Sequence, residues 1–336
     1  MPIKNGELPD ADEVINAMCS LFNDIAQNLF DADYNGFNAK LDNSGTPKLD
    51  NVGYDTFTGD SADTSTNFDH DATNGLYTGT TGETTATLVK DLSTSTSTIT
   101  NSVSIVNDKN LKSYQDNILE ASFETASNWT YSESDTAGKW SGSLTAAPHT
   151  GTNSYRITRA SGSSNVGDYG QVQQTNVDLT HVDKIGIWRT ITGVLGAGVF
   201  ALQIIIDATS ITMTSHGADG SGFTFYSGDI PVGLQTTGKS ITIKFAQTAG
   251  DSVSDAVNTF DDINIWSSTT EDTKTYTVSA DGGANFEAMT LKEIQRFNLT
   301  GTNLQIQIVH NQADGTFVGN GVANYVSEVA AKHNLY

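Results

Sequence analysis

The side chains best suited to chemistry in this chain are carboxylates. Asp31-Ala-Asp-Tyr-Asn-Gly36, followed by Asp42, puts oxygen-bearing side chains at positions 1, 3, 5 and 12 of an EF-hand-type calcium loop. Asp31, Asp33, Asn35 and Asp42 would supply hard oxygens to Ca²⁺, and Gly36 would make the sharp turn. Asp42 stands where a bidentate Glu is usual, and Gly45 and Pro47 oppose an exiting helix. The histidines, at 70, 149, 181, 216, 310 and 333, show no metal-ligand spacing. The chain has no His-Glu-x-x-His helix, no cysteine pair and no Gly-x-Ser-x-Gly elbow. Carboxylates are numerous enough for some pair to stand at glycosidase separation by chance, and none is embedded in an apolar run that would raise its pKa. The expectation is a protein that is not an enzyme. Among Trp129, Trp140, Trp188 and Trp266, the last two sit in predicted strands and suit core packing, while Trp140, in a polar stretch between Lys139 and Ser141, is the candidate for sugar contact, with partial burial as the alternative.

These residues need elements to hold them. Asp10 and Glu13 form a capping-box-like pair at the start of a helix predicted over 10–30. Val14, Met18, Leu21, Ile25 and Leu29 recur at helical spacing, beside a second stripe of Ile15, Cys19, Phe22, Ala26 and Phe30. So wide an apolar face suits docking to other proteins or to copies of itself, with burial within its own chain as the alternative, and the expected assembly is a homo-oligomer, with a trimer as the guess. Beyond it, Thr and Ser alternate with apolar residues as strands do, in Thr85-Ala-Thr-Leu-Val89 and Ile99-Thr-Asn-Ser-Val-Ser-Ile-Val106, joined by the Ser/Thr-rich run 93–98. Strands are predicted at 153–159, 168–177, 184–192, 198–206, 209–214, 222–227, 239–247 and 259–266. The spacing fits an antiparallel jelly-roll β-sandwich. Four regions result: 1–45, helix and anchoring loop; 46–115, β linker or stalk; 116–267, the sandwich; 268–336, a small β domain.

Composition sets the setting. The formal net charge is −22, from 39 acids against 17 bases. Such a surface repels phosphate backbones and anionic headgroups, so nucleic acid is a poor partner. No stretch approaches the length of apolar residues that spans a membrane. Polarity comes from Ser, Thr, Asn and Gly, an extracellular style, yet the first ten residues show no export address. Proteins of virus particles, assembled in the host cytoplasm and released by lysis, reconcile the two.

Ile118-Leu-Glu-Ala-Ser-Phe-Glu124 and Thr259-Phe-Asp-Asp-Ile-Asn-Ile265 stand at the two ends of the sandwich region. They resemble the opening "N-x-x-F-E" and closing "F-D-D-I/V" strands of the calcium-containing jelly rolls of carbohydrate-binding modules. That resemblance implies a structural Ca²⁺ held by Glu124 and one of Asp261 or Asp262, with Glu120 standing near the family's Asn. Ser279-Ala-Asp-Gly-Gly-Ala-Asn-Phe286 and Gly301-Thr-Asn-Leu-Gln-Ile-Gln-Ile308 are similar to small β modules of bacteriophage and archaeal-virus fibre and tail proteins. Together these imply a structural virion protein, a fibre, spike, tail or decoration subunit that contacts other virion proteins through residues 10–30 and binds host glycans. The alternative is a secreted or cell-surface carbohydrate-binding protein of a microbe.

Overall fold

The computed structural model describes residues 52–58, 64–134, 138–160, 165–193, 200–249, 255–319 and 321–334. The helix expected at 10–30 and the Asp31, Asp33, Asn35 and Asp42 loop lie outside the described residues. Among the described residues the protein is mainly β, and no helix is long and apolar enough to cross a membrane. The first strands are β1 (Val52–Asp55), β2 (Thr64–Thr66), β3 (Phe68–Asp71), β4 (Leu76–Gly79) and the long β5 (Thr85–Ser113). Next come β6 (Thr130–Glu133), β7 (Trp140–Thr145), β8 (Ser154–Arg159), β9 (Tyr169–Val177), β10 (Lys184–Gly193) and β11 (Phe200–Ile206). They are followed by β12 (Thr209–Ile211), β13 (Thr214–Ala218), β14 (Thr224–Asp229), β15 (Lys239–Gln247) and β16 (Ala256–Glu271). The series ends with β17 (Lys274–Ser279), β18 (Glu287–Ala288), β19 (Ile294–Asn311) and β20 (Asn324–His333).

Strands β8, β16, β10 and β14 pair side by side in that order, and β9, β15, β11 and β12 do so in a second sheet. Most consecutive strands cross from one sheet to the other, which is the double Greek key of a jelly roll. Alternation drives the packing. Val172 of β9, Ile204 and Ile206 of β11, and Ile241, Ile243 and Phe245 of β15 point inward, against Tyr155, Ile157, Ile187 and Phe260 of the other sheet. The strand expected at 209–214 is two strands, β12 and β13, belonging to different sheets.

A second core lies outside the sandwich. Residues 85–113, expected as two strands joined by the Ser/Thr-rich run, form one strand. It pairs with β19 along its first part and with β20 along its second. Ladder bonds on the flanks hold the Ser/Thr run extended, at the cost of register shifts between Arg296 and Gln305 of β19. Phe57, Tyr77, Leu88, Ile99, Val278, Ile306, Phe317 and Val329 share one apolar cluster. Residues between Phe57 and Ile99 and between Val278 and Ala331 therefore share one core. Asp281-Gly282-Gly283 forms a tight turn, with the two glycines at left-handed φ of 74° and 82°.

A third cluster clasps the two units. Trp188, Phe223, Phe225 and Trp266 on the outer face of the jelly roll meet Leu111, Val318 and Ala323 of the second unit. Gly186 is the spacer that lets the rings in: a Cβ there would stand 2.5 Å from Phe225 Cζ and 3.1 Å from Trp266 Cζ3. Gly186→Ala is expected to overpack this clasp and to destabilise the protein by about 1–3 kcal/mol, read as a drop of several degrees in Tm. An unchanged Tm would show that the clasp is loosely packed.

Candidate functional site

The closing strand of the jelly roll carries the site. On β10 and β16, Trp188 pairs with Asp261 but Gly186 pairs with Asn264, so one extra residue is accommodated in β16. This is a β-bulge, and Asp262 within it has a left-handed φ of 44°. Phe260 and Ile263 on either side both enter the jelly-roll core. The bulge thereby turns both intervening carboxylates away from the core without breaking the apolar alternation.

The two carboxylates have different tasks. Asp261 is fully buried, and its Oδ2 accepts the backbone N–H groups of His149 (2.9 Å) and Thr150 (3.3 Å). Its Oδ1 accepts the N–H of Asp262 at 2.9 Å. Burial, followed by the negative charge of Asp262, pushes its pKa up to about 8 against the pull of those three bonds. The sequence expectation that no carboxylate is raised by burial is corrected here: Asn258, Thr259 and Asn264 make the stretch look polar, yet all are buried. Asp262 meets side chains instead. Its oxygens accept the Thr150 hydroxyl at 2.8 and 2.9 Å, and His149 Nδ1 lies 2.7 Å from Oδ2. The other ring nitrogen of His149 lies 2.9 Å from Asp219 Oδ2, and the ring stacks on Trp188 at 4.0 Å. Both contacts are hydrogen bonds only when the ring or a carboxylate carries an added proton.

Asp262 also lines a cavity of about 690 Å³ with Glu83, Asp116, Glu120 and Glu124. Glu124 Oε1 accepts the Thr152 N–H at 2.8 Å, in space left by Gly151, where a Cβ would stand 1.9 Å from that oxygen. Glu120, Phe123 and Asp262, around this cavity, all have left-handed φ of 58°, 51° and 44°. Of the alternatives for a Ca²⁺ set, Asp262 shares the cavity with Glu124, while Asp261 is turned away and spent on backbone donors. Among the described residues no three His, Cys, Asp or Glu side chains converge as a metal site by themselves. Glu124 and Asp262 would supply two hard oxygen donors of the kind Ca²⁺ takes.

Trp140 is a correction. It opens β7 with 3 % of its surface exposed, edge-on to Phe200 and Phe245 at 6.2 and 5.7 Å. It packs in the jelly-roll core. The other three tryptophans are buried as well. What the jelly roll does expose is the solvent face of the sheet β6-β9-β15-β11-β12. Register aligns exposed Ser132 with half-buried Gln171, Lys244 and Gln203 in one cross-strand row, and exposed Thr130 with half-buried Gln173 and buried Thr242 in the next. Gln171 donates to Ser132 (3.1 Å), Gln173 donates to Thr242 (3.0 Å), and Lys244 lies 4.0 Å over the Tyr169 ring. In the chain of net charge −22, these rows hold no carboxylate.

A separate cavity of about 500 Å³ brings His216 Nε2 within 2.6 Å of Ser227 Oγ, beside the Lys184–Asp229 ion pair. Burial pushes the His216 pKa down. The partners of His149 lie 70 and 113 residues away in the chain, so no local motif announces that cluster.

No family model matches the chain, and no curated protein does. Solved structures similar to it include TmCBM61 in complex with β-1,4-galactotriose: 15 % identity, TM-score 0.28, 46 % of this chain and 97 % of that one. Another is the family 11 carbohydrate-binding module from Clostridium thermocellum in complex with a β-1,3-1,4-mixed-linked tetrasaccharide: 14 % identity, TM-score 0.27, 49 % of this chain and 98 % of that one. A third is the enzymatically active domain of bacteriophage CBA120 tailspike protein 4: 15 % identity, TM-score 0.30, 44 % of this chain and 21 % of that one.

The raised pKa of Asp261 has a consequence for stability. The folded state holds this proton more tightly than the unfolded chain does. Its contribution is therefore fully present below the ordinary carboxylate pKa of 3.8 and is lost as pH rises to about 8. Thermal melting across that window should show Tm falling with pH, and Asp261→Asn should flatten the slope. The variant should also be less stable by about 1–3 kcal/mol, because an amide N–H₂ cannot accept from the backbone donors on both sides. A slope unchanged in Asp261→Asn would refute the assignment.

Proposed function

We propose that the chain is a non-catalytic glycan-binding protein, and that an uncharged sugar chain lies across the solvent face of the five-stranded sheet. The observation that carries this reading is the pair of cross-strand rows, Ser132–Gln171–Lys244–Gln203 and Thr130–Gln173–Thr242. Amides and hydroxyls there alternate donors and acceptors at the strand spacing of about 4.8 Å. Sugar hydroxyls need such paired donors and acceptors. A surface without carboxylates in a strongly acidic protein excludes no neutral glycan by charge. Tyr169, held under Lys244, supplies an aromatic ring beside the middle of the first row, opposite Ala246.

Ca²⁺ belongs to the same reading. Glu124 and Asp262 would hold it between the opening and closing segments of the jelly roll, neutralising the charge gathered around the cavity. The setting we favour is a virion, with the protein a fibre, spike, tail or decoration subunit that shows this sheet face to the host. The sequence pattern of 272–310 and the composition support it. A secreted or cell-surface microbial binder is the alternative setting, and mass spectrometry of purified particles against culture supernatant separates the two.

Glycan-array screening followed by calorimetry tests the binding surface. The Gln171→Ala/Gln173→Ala variant should lose about tenfold in affinity, the loss expected for one or two hydrogen bonds, with Tm unchanged. Affinity that survives in the double variant would rule this face out. For calcium, a concentration about 100 times Kd should stabilise the protein by about 2.7 kcal/mol, several degrees of Tm. Glu124→Gln keeps the acceptor for the Thr152 N–H and should abolish most of that rise; an equal rise in the variant would place the ion elsewhere.

A further inference from the structure

The chain crosses from one sheet of the jelly roll to the other between β12 and β13, and the cavity of about 500 Å³ lies at that crossing. Ser210 and Ile211 of β12 form one side of it, and Ser227, Gly228 and Asp229 at the end of β14 form the other. His216 of β13 lines it as well. Gly228 permits the close approach of the two sides. A Cβ there would stand 2.4 Å from the Thr212 carbonyl oxygen and 2.7 Å from Ile211 Cγ2, so the crossing segment packs directly on β14.

Register connects this cavity to the solvent face of the five-stranded sheet. Ser210 pairs with Ile205, Ile205 with Thr242, Thr242 with Gln173, and Gln173 with Thr130. Directly paired residues put their side chains on the same face of a sheet. The second of the two rows therefore runs on across β11 and ends at Ser210, an exposed residue that also lines the cavity. Five strands at a spacing of about 4.8 Å make this row about 19 Å long, more than one sugar ring covers.

The lining is independent of that register. Ser227 is 8 % exposed, and its hydroxyl is fixed by His216 Nε2 at 2.6 Å. A hydroxyl has one donor and two acceptor positions, so this bond leaves part of its capacity unused. Burial pushes the His216 pKa down, which keeps the ring neutral near pH 7. Lys184 and Asp229 form an ion pair at the rim. Their contact uses one of three ammonium donors and one of about four carboxylate lone-pair positions. The pair is neutral as a whole, so the cavity repels no neutral ligand, while a hydroxyl bonded to either ion gains a charge-assisted bond. Ile211 and Pro231 add apolar surface of the kind that meets the C–H face of a sugar ring.

We propose that this cavity binds the terminal pyranose residue of the sugar chain, and that the residues after it lie along the row from Ser210 to Thr130. The inference rests on the glycan-binding reading of the sheet face and adds an end point to it, so the protein holds its ligand by a chain end. The hydroxyls of the terminal ring bond to Asp229, Lys184 and Ser227, and its C–H face meets Ile211 and Pro231.

The experiment follows the imidazole C–H resonances of the full chain by NMR, at about pH 7. His216→Asn assigns the His216 signals. The methyl glycosides of glucose, galactose and mannose are added singly at millimolar concentration. At least one should shift the His216 signals and leave those of His70, His310 and His333 in place. Asp229→Asn, a change at a side chain 82 % exposed, should weaken that glycoside by about tenfold, the factor for one charge-assisted hydrogen bond. Gln171→Ala/Gln173→Ala should leave the glycoside bound as before. An oligosaccharide selected on the glycan array should lose affinity in both variants. The proposal is overturned if no glycoside moves the His216 signals, if all the histidine signals move together, or if Asp229→Asn binds glycoside or oligosaccharide as the parent does. The sheet-face reading fails on a different result, an oligosaccharide that binds the double glutamine variant as tightly as the parent.

Discussion

Strand β16 is buried on both faces, and the rest of the molecule is arranged around that fact. Phe260, Ile263 and Ile265 fill the jelly-roll core, while Trp266 turns outward into the clasp with the second unit. Its last residues pair with the end of β5, so the two units share a ladder as well as a ring cluster. A two-sided strand normally reads as a continuous apolar run. This one cannot, because it must also carry Asp261 and Asp262. The bulge at Asp262 resolves the conflict, since an extra residue lets both carboxylates leave the core between two inward-facing side chains. Each cavity beside the bulge follows from the same step: Asp262 lines one, and its partner His149 lines the other.

Charge is sorted across the surface in a way that net charge conceals. The acids gather around the junction of the two units, where Asp219, Asp262, Glu120 and Glu124 stand close to apolar walls. The five-stranded sheet shows amides, hydroxyls and a lysine. A uniformly acidic shell would keep the protein soluble just as well. The separation instead leaves one surface of amides and hydroxyls and another rich in carboxylates. It also explains why desolvation acts so strongly on Asp261, which is buried beside another carboxylate with no cationic side chain bonded to it.

Strands with strict alternation were legible in the sequence. The segments 168–177, 184–192 and 239–247 coincide with β9, β10 and β15 to within a residue, because each places core residues at alternate positions, such as Ile185 and Ile187, and Ile241, Ile243 and Phe245. The pairing of residues 85–113 with 294–311 and 324–333 was not legible. Nothing local in Thr94 or Asn303 says that they meet, and only the ladder holds the Ser/Thr run extended. Trp140 misled because its sequence neighbours are polar, although an edge residue of a strand is judged by what lies under it, here Phe200 and Phe245. The His149 cluster was invisible for a different reason. Its geometry is made by two loops and the bulge of β16, far apart in the chain, and no spacing rule spans such distances.

The left-handed residues add a further step. Glu120, Phe123 and Asp262 each hold a conformation that disfavours a side chain, at about 1 kcal/mol or more apiece. Phe123 repays its own strain, since it is fully buried and packs on Trp129, Tyr155 and Phe260 at 5.0, 5.6 and 5.3 Å. Glu120 and Asp262 are not repaid in that way. Their carboxylates face the cavity alongside Glu124, gathering like charges that repel. Strain and repulsion at one place are sustained only where surrounding packing over-determines the backbone, and the apolar core directly beneath the bulge does so. The arrangement therefore stores unfavourable energy at the seam between the opening and closing segments of the jelly roll. A bound cation there would relieve the electrostatic part and leave the packing untouched.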